Sequence, residues 1–371
     1  MSIQNWFVGQ AVRALLAYKS RPGVIRGALA RRKYPRARTP SRNEVVVGVV
    51  QMRLDLLDDG VAFADKYFDL VRQAVERGAQ LIVFPEYAWL PILGLLSPVR
   101  EIAEKNVTLQ TAVSELAPTG GLTIEGVFRT IAPAVQRIFE TTGSELAKRF
   151  GVYLMPGSAM IADQRGRLYN TAYLFGPDGS LIGTQRKLHK ASMERDWDWL
   201  SVGDELNVFE LAFAKLAMPV CMDHTYWETA RVAGLRGADI LLDFSAEEKG
   251  DELYMAMRGV AARIQESYAY GVQAYCVTKL FGLNFCGPSN IVAPLGVWDD
   301  ASVLMAQTKT ADQEEVIAAK LDLAHLRRWR AAHPRDFNIA LYRKYLPKAY
   351  AAYRARVTQD GKRTMMPDWS D

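Results

Sequence analysis

Few residues in this sequence could form disulfides or bind a metal ion. The 371 residues include three cysteines and four histidines, and neither set shows a CxxC, HExxH or other ligand spacing. A disulfide framework and a zinc site are therefore not expected, and a reducing compartment such as the cytoplasm is the simplest location. No apolar run approaches the roughly 20 residues that a membrane-spanning helix needs.

Acidic residues are absent from the first 43 positions, which hold ten lysines and arginines. The formal net charge of the whole chain is +5, so without these ten positive charges the remainder carries −5. The basic character therefore belongs to a terminal extension, and it gives no reason to expect that the body of the protein binds nucleic acid.

Residues 1–43 combine an apolar helical pattern with a basic segment. Trp6, Phe7, Val12 and Leu16 fall on one broad side of a helix predicted over 1–18, and the segment RRKYPRAR follows at 31–38. Such a pattern is typical of a helix that lies peripherally on an anionic membrane surface. It also fits a transit peptide or an arm that packs on a neighbouring subunit, and the sequence leaves these three interpretations open.

Apolar runs alternate with helical periodicity from 44 to 322, which predicts one α/β domain without an internal linker. Strands are expected at 45–51, 81–84, 152–155 and 272–278, among others, and helices at 61–77, 124–150, 227–235 and 251–270. The basic and aromatic residues 323–371 predict an arm that contacts another subunit. The stretch 92–138 would cap the site or form a further interface; solvated surface is the alternative for both segments.

Three chemically reactive side chains each follow a predicted strand. Glu86 ends LIVFPE, Lys187 lies in GTQRKLH, and Cys221 ends LAMPVC, just before a predicted helix. A thiol, a carboxylate and a cation are the parts needed for acyl transfer through a thioester. The nearby helix N-terminus is expected to lower the pKa of the thiol, and a dry pocket would raise the pKa of the carboxylate.

These segments resemble, in order, the motifs of the nitrilase superfamily of carbon–nitrogen hydrolases. The matching segments are GVVQ, GAQLIVFPE, G-x-x-x-K-x-H, C-x-D-x-x-x-x-E with GADILL, ARIQES and GPSNIVAPLG, which span residues 44–322. The resemblance implies an αββα sandwich that dimerises into a four-layer αββααββα core, or a larger homo-oligomer. It also implies chemistry without a metal or cofactor.

The resemblance also implies a role for each motif residue. Glu86 would be the general base, Lys187 would stabilise the oxyanion and Cys221 would be the nucleophile. A second family glutamate matches Glu194, which would hold Lys187 and orient the leaving group of the substrate.

The nucleophile motif bears on the substrate. Cys221-Met222-Asp223 is closer to the C-x-D pattern of amidases and carbamoyl-amide hydrolases than to the Cys-Trp-Glu of nitrilases. We therefore expect hydrolysis of a small-molecule amide or carbamoyl-amide through a thioester, with nitrile hydrolysis as an alternative. The bulky residues Trp197, Tyr226 and Trp227 predict a substrate pocket with aromatic walls.

Three other hypotheses stay open at this point. A membrane-associated N-acyltransferase would use the same thioester, although that branch of the superfamily has several transmembrane helices. A subunit without catalytic activity would not need the complete set of motif residues. Finally, His224 lies three positions after Cys221, so a Cys–His dyad is an alternative to the glutamate as proton acceptor.

Overall fold

The computed structural model describes residues 3–103, 107–111, 123–249, 257–298, 303–357 and 363–367. By its internal contacts the chain divides into two units, Met1–Arg327 and Arg328–Asp371. Parts of the predicted cap at 92–138 and of the predicted C-terminal arm lie outside the described residues, namely 104–106, 112–122, 358–362 and 368–371. The roles predicted for both segments stay predictions.

The first unit alternates helices and strands, as expected of an α/β domain. The helices are α1 (Ile3–Lys19), α2 (Pro22–Ala30), α3 (Gly60–Glu76), α4 (Ser97–Ala103), α5 (Ile124–Phe150), α6 (Trp227–Leu235), α7 (Val260–Ser267) and α8 (Leu323–Ala332), and α9 (Ile339–Ala351) follows in the second unit. The strands before the nucleophile are β1 (Glu44–Arg53), β2 (Leu81–Val83), β3 (Tyr153–Met155), β4 (Ser158–Ala162), β5 (Leu168–Phe175), β6 (Leu181–Arg186), β7 (Leu200–Ser201), β8 (Val208–Glu210) and β9 (Lys215–Ala217). The later strands are β10 (Ile240–Ser245), β11 (Tyr270–Leu280), β12 (Leu283–Phe285), β13 (Asn290–Val292), β14 (Leu304–Gln307), β15 (Glu315–Asp322), β16 (Tyr353–Val357) and β17 (Arg363–Pro367).

Two halves of a curled mixed sheet form the centre of this unit. One half has the order β4-β5-β3-β2-β1-β15, and the other has the order β8-β9-β10-β11-β13-β14. Parallel pairing of β1 with β11, at Met52–Cys276 and Arg53–Val277, joins the halves. The strand that precedes Glu86, β2, is parallel to β1 and β3, and the strand that precedes Cys221, β9, is parallel to β10, so those two residues follow the carboxyl ends of strands.

Helices cover the outer face of each half, which gives the layers of an αββα sandwich. The first half packs against α3 and α5 through Phe63, Phe139 and other buried residues. The second half packs against α6 and α7 through Ala230, Ile264 and Leu241. The expected α/β sandwich is therefore confirmed, whereas the four-layer dimer stays a prediction.

Helix α3 shows how local sequence fixes this packing. The Asp59 side chain accepts hydrogen bonds from the amides of Val61 and Ala62, both at 2.9 Å, and so caps the first turn. Gly48 in β1 faces the end of this helix, where a Cβ atom would lie only 2.8 Å from the Cβ of Ala79. A side chain larger than hydrogen at position 48 would therefore push the helix away from the sheet.

Two of the predicted secondary-structure elements have the wrong residue bounds. The helix predicted to reach residue 270 ends at Ser267, because Tyr268 adopts a left-handed conformation and strand β11 begins at Tyr270; residues 251–256 lie outside the described part. The apolar run before Cys221 forms only a short strand, β9. Proline 219 has no N–H group with which to continue the ladder.

The N-terminal extension packs on its own domain. Ile25 and Leu29 of α2 are fully buried in the core that contains α3 and α5. Arg32 forms ion pairs with Asp65 and Asp69 at 2.7 and 2.6 Å. The side chains of residues 3–8, which include part of the predicted apolar face of α1, lie outside the described structure. None of the helices in the described part of the chain is both long and apolar enough to cross a bilayer, and peripheral membrane binding stays a prediction.

Candidate active site

A buried cluster of charges lies where the ends of β2 and β6 meet. The Lys187 ammonium is 2.8 Å from Oε1 of Glu86 and 2.8 Å from Oε2 of Glu194. The three side chains are only 3%, 1% and 0% exposed. The structure therefore brings together three of the four residues that were predicted to be catalytic, and Glu194 is a direct partner of Lys187.

Glu86 has further hydrogen bonds that fix both of its oxygens. The Asn170 side chain donates to Oε1 at 2.9 Å, and the amide of Ala246 donates to Oε2 at 3.1 Å. Burial raises the pKa of Glu86 to about 7, although the neighbouring Lys187 works in the opposite direction. A carboxylate with such a pKa can accept and return protons near neutral pH.

Cys221 joins the cluster through its sulfur. Its thiol donates a hydrogen bond to Oε1 of Glu247 at 3.7 Å, and Glu86 and Lys187 lie close enough to shift the pKa of the thiol. Burial raises the pKa of the thiol well above its ordinary value, Glu86 raises it further, and Lys187 opposes both effects. The expectation that a helix N-terminus lowers this pKa is wrong, because α6 begins only at Trp227 and the thiol is buried.

The backbone is strained at Cys221 and directly after Glu86. Cys221 has φ 45° and Tyr87, directly after Glu86, has φ 54°, and both lie in the left-handed region that residues with a side chain rarely adopt. Tyr87 also donates a hydrogen bond from its hydroxyl to Glu194. Such strain persists only where the surrounding structure holds it in place, and it is concentrated at functional sites.

Asp223 ties the loop that carries Lys187 to the loop that carries Cys221. Its buried carboxylate accepts hydrogen bonds from the amides of Leu188, His189 and Val220 at 3.0, 2.9 and 2.9 Å. The aspartate of the C-x-D motif therefore positions two site residues at once. Two of its partners, the amides of Leu188 and His189, lie in a distant part of the chain, which the sequence alone did not reveal.

His224 is held away from a dyad with the nucleophile. Its Nε2 is 3.0 Å from the carbonyl oxygen of Leu242, and its own carbonyl accepts a 2.7 Å hydrogen bond from Arg263. Within the described residues, the thiol instead donates its hydrogen bond to the carboxylate of Glu247.

Asn170, Glu247 and Arg258 are among the site residues that sequence reasoning missed. Asn170 is a polar residue inside a fully buried strand, and Glu247 follows the buried strand β10 just as Glu86 follows β2. A systematic search for polar side chains within or just after buried strands would have found both. Arg258, whose Nη2 is 2.6 Å from Oε1 of Glu247, has no such signal.

The three residues predicted to bind substrate are placed differently from one another. Trp197 lines a narrow apolar cavity of about 40 Å³ together with Tyr87 and Phe128. Tyr226 and Trp227 are 41% and 46% exposed and are not among the described residues that line this cavity. Their contact with substrate stays a prediction.

A much larger cleft of about 830 Å³ lies beside strands β11, β13 and β14. Its walls include Lys249, Tyr275 and Cys286, and none of Glu86, Lys187 or Cys221. The segment that carries Glu247 contacts the wall of this cleft, since the carbonyl of Glu247 accepts a 3.0 Å hydrogen bond from the amide of Cys286.

The fold and the sequence together define the class of this protein. The profile of the carbon–nitrogen hydrolase family matches residues 46–331, and the chain therefore belongs to that family and is a carbon–nitrogen hydrolase. The chain is thereby a member of the nitrilase superfamily, and its relatives include both nitrilases and omega-amidases.

Two relatives illustrate the sequence similarity. A nitrilase of Pyrococcus abyssi is 31% identical over 288 residues, which cover 77% of this chain and 93% of the relative. An omega-amidase of Xenopus tropicalis is 28% identical over 280 residues, or 71% of this chain and 84% of the relative.

Solved structures show the same fold at lower identity. A carbon–nitrogen hydrolase from Helicobacter pylori superposes with a TM-score of 0.63 at 21% identity, covering 82% of this chain and 99% of the other. An amidase from Nesterenkonia sp. AN1, in complex with acrylamide, gives 0.57 at 19% identity, with coverage of 82% and 98%.

Proposed function

We propose that the protein hydrolyses the carbon–nitrogen bond of a small-molecule amide or carbamoyl-amide, with Cys221 as the nucleophile and a thioester as the intermediate. The observation that carries this proposal is the buried cluster in which Lys187 binds Glu86 and Glu194, with the Cys221 thiol close enough that both Glu86 and Lys187 shift its pKa. This arrangement supplies a nucleophile, a base and a cation in one enclosed place.

In the first half-reaction the sulfur attacks the carbonyl carbon. Glu86 accepts the thiol proton as the carbon–sulfur bond forms, which suits a thiol whose raised pKa disfavours a free thiolate. The Lys187 ammonium stabilises the negative charge on the former carbonyl oxygen. Glu86 then gives its proton to the nitrogen, the carbon–nitrogen bond breaks, and ammonia or an amine leaves.

In the second half-reaction water replaces the amine. Glu86 accepts a proton from the water molecule while the water oxygen attacks the thioester carbon. The carbon–sulfur bond breaks, the sulfur recovers a proton, and the carboxylic or carbamic acid leaves. Glu194 stays ionised through both halves, because Lys187 and the Tyr87 hydroxyl lower its pKa against the effect of burial, and so it keeps Lys187 in position.

Several observations support an amide as the substrate. One relative is named an omega-amidase, and one similar structure is an amidase in complex with acrylamide. The Cys221-Met222-Asp223 sequence points the same way. The apolar cavity lined by Tyr87 and Trp197 supports a substrate with an apolar or aromatic substituent, since Tyr87 also contacts the charge cluster.

A substrate panel tests the proposal. The full chain is assayed for release of ammonia or amine from primary amides of increasing acyl length, carbamoyl-amides and the matching nitriles. We expect amides or carbamoyl-amides to be hydrolysed, and a preference for short acyl groups would contradict the apolar pocket. Faster turnover of nitriles would favour the alternative reaction.

Matched cysteine variants complete this test. Cys221→Ala should lose the activity, and Cys286→Ala, which changes a cysteine in the wall of the large cleft, should keep it. Retained hydrolysis in Cys221→Ala would overturn the proposal.

A further inference from the structure

Glu247 touches the nucleophile without belonging to the cluster around Lys187. Its Oε1 is 3.7 Å from Sγ of Cys221, and its side chain is only 18% exposed. The hydrogen bonds of Lys187 go to Glu86 and Glu194, so the chemistry proposed above gives Glu247 no task. A second carboxylate beside the sulfur therefore needs an explanation of its own.

The segment around Glu247 is held firmly on both sides. The amide of Ala246 donates to Glu86 at 3.1 Å. The carbonyl of Glu247 accepts from the amide of Cys286 at 3.0 Å, and the amide of Lys249 donates to the carbonyl of Asn284 at 2.9 Å. A carboxylate carried by such a backbone has a defined place relative to the sulfur, as a group that discriminates between substrates must have.

Arg258 forms an ion pair with this carboxylate. Its Nη2 lies 2.6 Å from Oε1 of Glu247 and 4.0 Å from the sulfur of Met222. Burial raises the pKa of Glu247, and Arg258 opposes that rise. An ionised carboxylate can only accept hydrogen bonds, so Glu247 favours a neighbouring N–H group and disfavours a neighbouring carboxylate.

The substituents of the attacked carbon can be assigned by elimination. A carbonyl carbon bonded to Sγ has three other groups: its oxygen, the leaving nitrogen and the acyl substituent. In the proposed reaction the oxygen is stabilised by Lys187, and the leaving nitrogen receives a proton from Glu86 and so faces it. The acyl substituent is left, and Glu247 is the remaining charged side chain with a described contact to the sulfur.

We propose that Glu247 is a specificity-determining residue that selects acyl groups with an N–H donor on the atom attached to the scissile carbonyl. Carbamoyl groups and α-aminoacyl groups have this chemistry, and simple alkanoyl groups do not. The inference rests on the proposed function, because it assumes that the sulfur of Cys221 attacks this carbonyl.

A pair of isosteric substrates tests the assignment. An N-carbamoyl amine and the matching N-acetyl amine differ only in NH₂ against CH₃. The change in their ratio of kcat/KM between the wild type and a Glu247 variant isolates the hydrogen bond, because the different intrinsic reactivities of the two carbonyls cancel. Loss of a hydrogen bond to a buried charged group is worth roughly 10- to 100-fold, so Glu247→Gln and Glu247→Leu should lower the carbamoyl-to-acetyl ratio by about that factor.

Two control variants distinguish selection from a merely structural role. Glu248→Gln changes the exposed neighbouring acid and should leave the ratio unchanged. Arg258→Gln should reduce the preference less than Glu247→Leu does, because the carboxylate remains. An unchanged ratio in an active Glu247→Leu variant, or a ratio that shifts in favour of the carbamoyl substrate, would overturn this inference. If the protein hydrolyses neither of these substrates and no other amide, the proposed function itself is overturned.

Discussion

At the scale of single residues, the site depends on one lysine that is shared by two carboxylates. Burial of three charges is unfavourable unless each has a partner, and here Lys187 lies 2.8 Å from both Glu86 and Glu194. Removal of the lysine would leave two buried carboxylates that repel each other. The cluster is therefore a single unit, and its residues cannot be exchanged one at a time without changing the pKa values of the others.

The choice between a glutamate and a histidine as the proton acceptor is directly testable. Glu86→Gln keeps the shape of the side chain but cannot accept the thiol proton, so kcat should fall by roughly 10²- to 10⁴-fold. His224→Asn is the matched comparison and should retain far more activity, because the His224 ring bonds a backbone carbonyl. Steady-state kinetics of both variants with one amide decide the question, and near-normal turnover by Glu86→Gln would refute the assigned base.

The raised pKa of Glu86 should make activity and stability change in opposite directions with pH. The pKa rises from an ordinary 4.5 to about 7 in the folded protein, so between these values the folded state holds a proton that the unfolded state has released. The stabilising contribution is complete below pH 4.5 and is lost as the pH rises through 7. Over the same range the base becomes ionised and kcat/KM should increase.

Thermal unfolding of the wild-type protein and Glu86→Gln at pH 5 and pH 8 measures this linkage. The variant should gain stability relative to the wild type as the pH rises. A constant difference in Tm between the two proteins, together with a flat pH–rate profile, would show that this carboxyl titrates normally.

Glu86 and Cys221 could be found from the sequence because each ends an apolar run, whereas Glu194 was found only through the family resemblance. The strands before Glu86 and Cys221 are each parallel to a neighbouring strand, and carboxyl ends of parallel strands gather at one edge. Glu247 and Asp223 act through contacts with distant segments, with Cys221 and with the amide of Leu188. Such contacts depend on how loops fold back, which periodicity does not describe.

At the scale of elements, the turn after β3 positions the base. Gly157 has φ +93°, and a Cβ atom there would lie 2.2 Å from the carbonyl oxygen of Pro85, the residue before Glu86. The neighbouring Ser158 hydroxyl accepts a hydrogen bond from the amide of Tyr87 at 3.2 Å. Close approach of these two segments therefore holds Glu86 at the end of β2.

Gly157→Ala should disturb both the fold and the catalysis. The left-handed backbone alone costs about 1 kcal/mol with alanine, and the clash with Pro85 adds to it, so denaturant unfolding should show a larger loss. Gly166→Ala is the matched control, since Gly166 also has positive φ but has no atom within 4 Å of the added carbon. Equal losses of stability in the two variants, with kcat unchanged in Gly157→Ala, would refute the positioning role.

The elements also show where periodicity fails. Helices α3 and α5 have caps and long apolar stripes, and their predicted limits were correct within a few residues. The helix predicted over 251–270 ran on into β11 because alanine and tyrosine suit both structures. What ends α7 is the left-handed conformation of Tyr268, at φ 51°, and a tyrosine gives no such signal in a sequence.

At the scale of the whole molecule, the N-terminal extension determines which helix layer is open. Helix α2 packs on α3 and α5 with Ile25 and Leu29 buried, so the outer side of the first half of the sandwich is partly covered. The other layer exposes apolar side chains from α6, among them Val232 at 43% and Leu235 at 53%. An exposed apolar helix face of this kind indicates an interaction surface.

We expect α6 to lie in the interface of the predicted dimer. Leu235→Lys should lower the mass measured by light scattering from that of a dimer towards 41.5 kDa, the mass of one chain, because a charge would be buried at the contact. Leu181→Lys changes an equally exposed leucine on β6 and should leave the assembly intact. A monomeric wild-type protein, or a dimer that tolerates Leu235→Lys, would contradict this placement.

The sequence left three interpretations of residues 1–43 open, and the structure adds a fourth: packing on the same domain. This outcome could not be read from a helical pattern, since a membrane, a neighbouring subunit and the protein's own helices all bury the same apolar face. The ion pairs of Arg32 with Asp65 and Asp69 show why a basic segment suits this place. Vesicle flotation of the full chain tests whether the remaining exposed face also binds anionic lipid.

Trapping the covalent intermediate tests the central claim most directly. The full chain is mixed with a hydrolysed amide, quenched with acid within the first turnover, and digested for mass spectrometry. The account predicts an acyl or carbamoyl mass on the peptide that contains Cys221, which disappears as the substrate is exhausted and never forms in Cys221→Ala. Turnover of the amide without such an adduct, or an adduct on Cys276 or Cys286 instead, would contradict it.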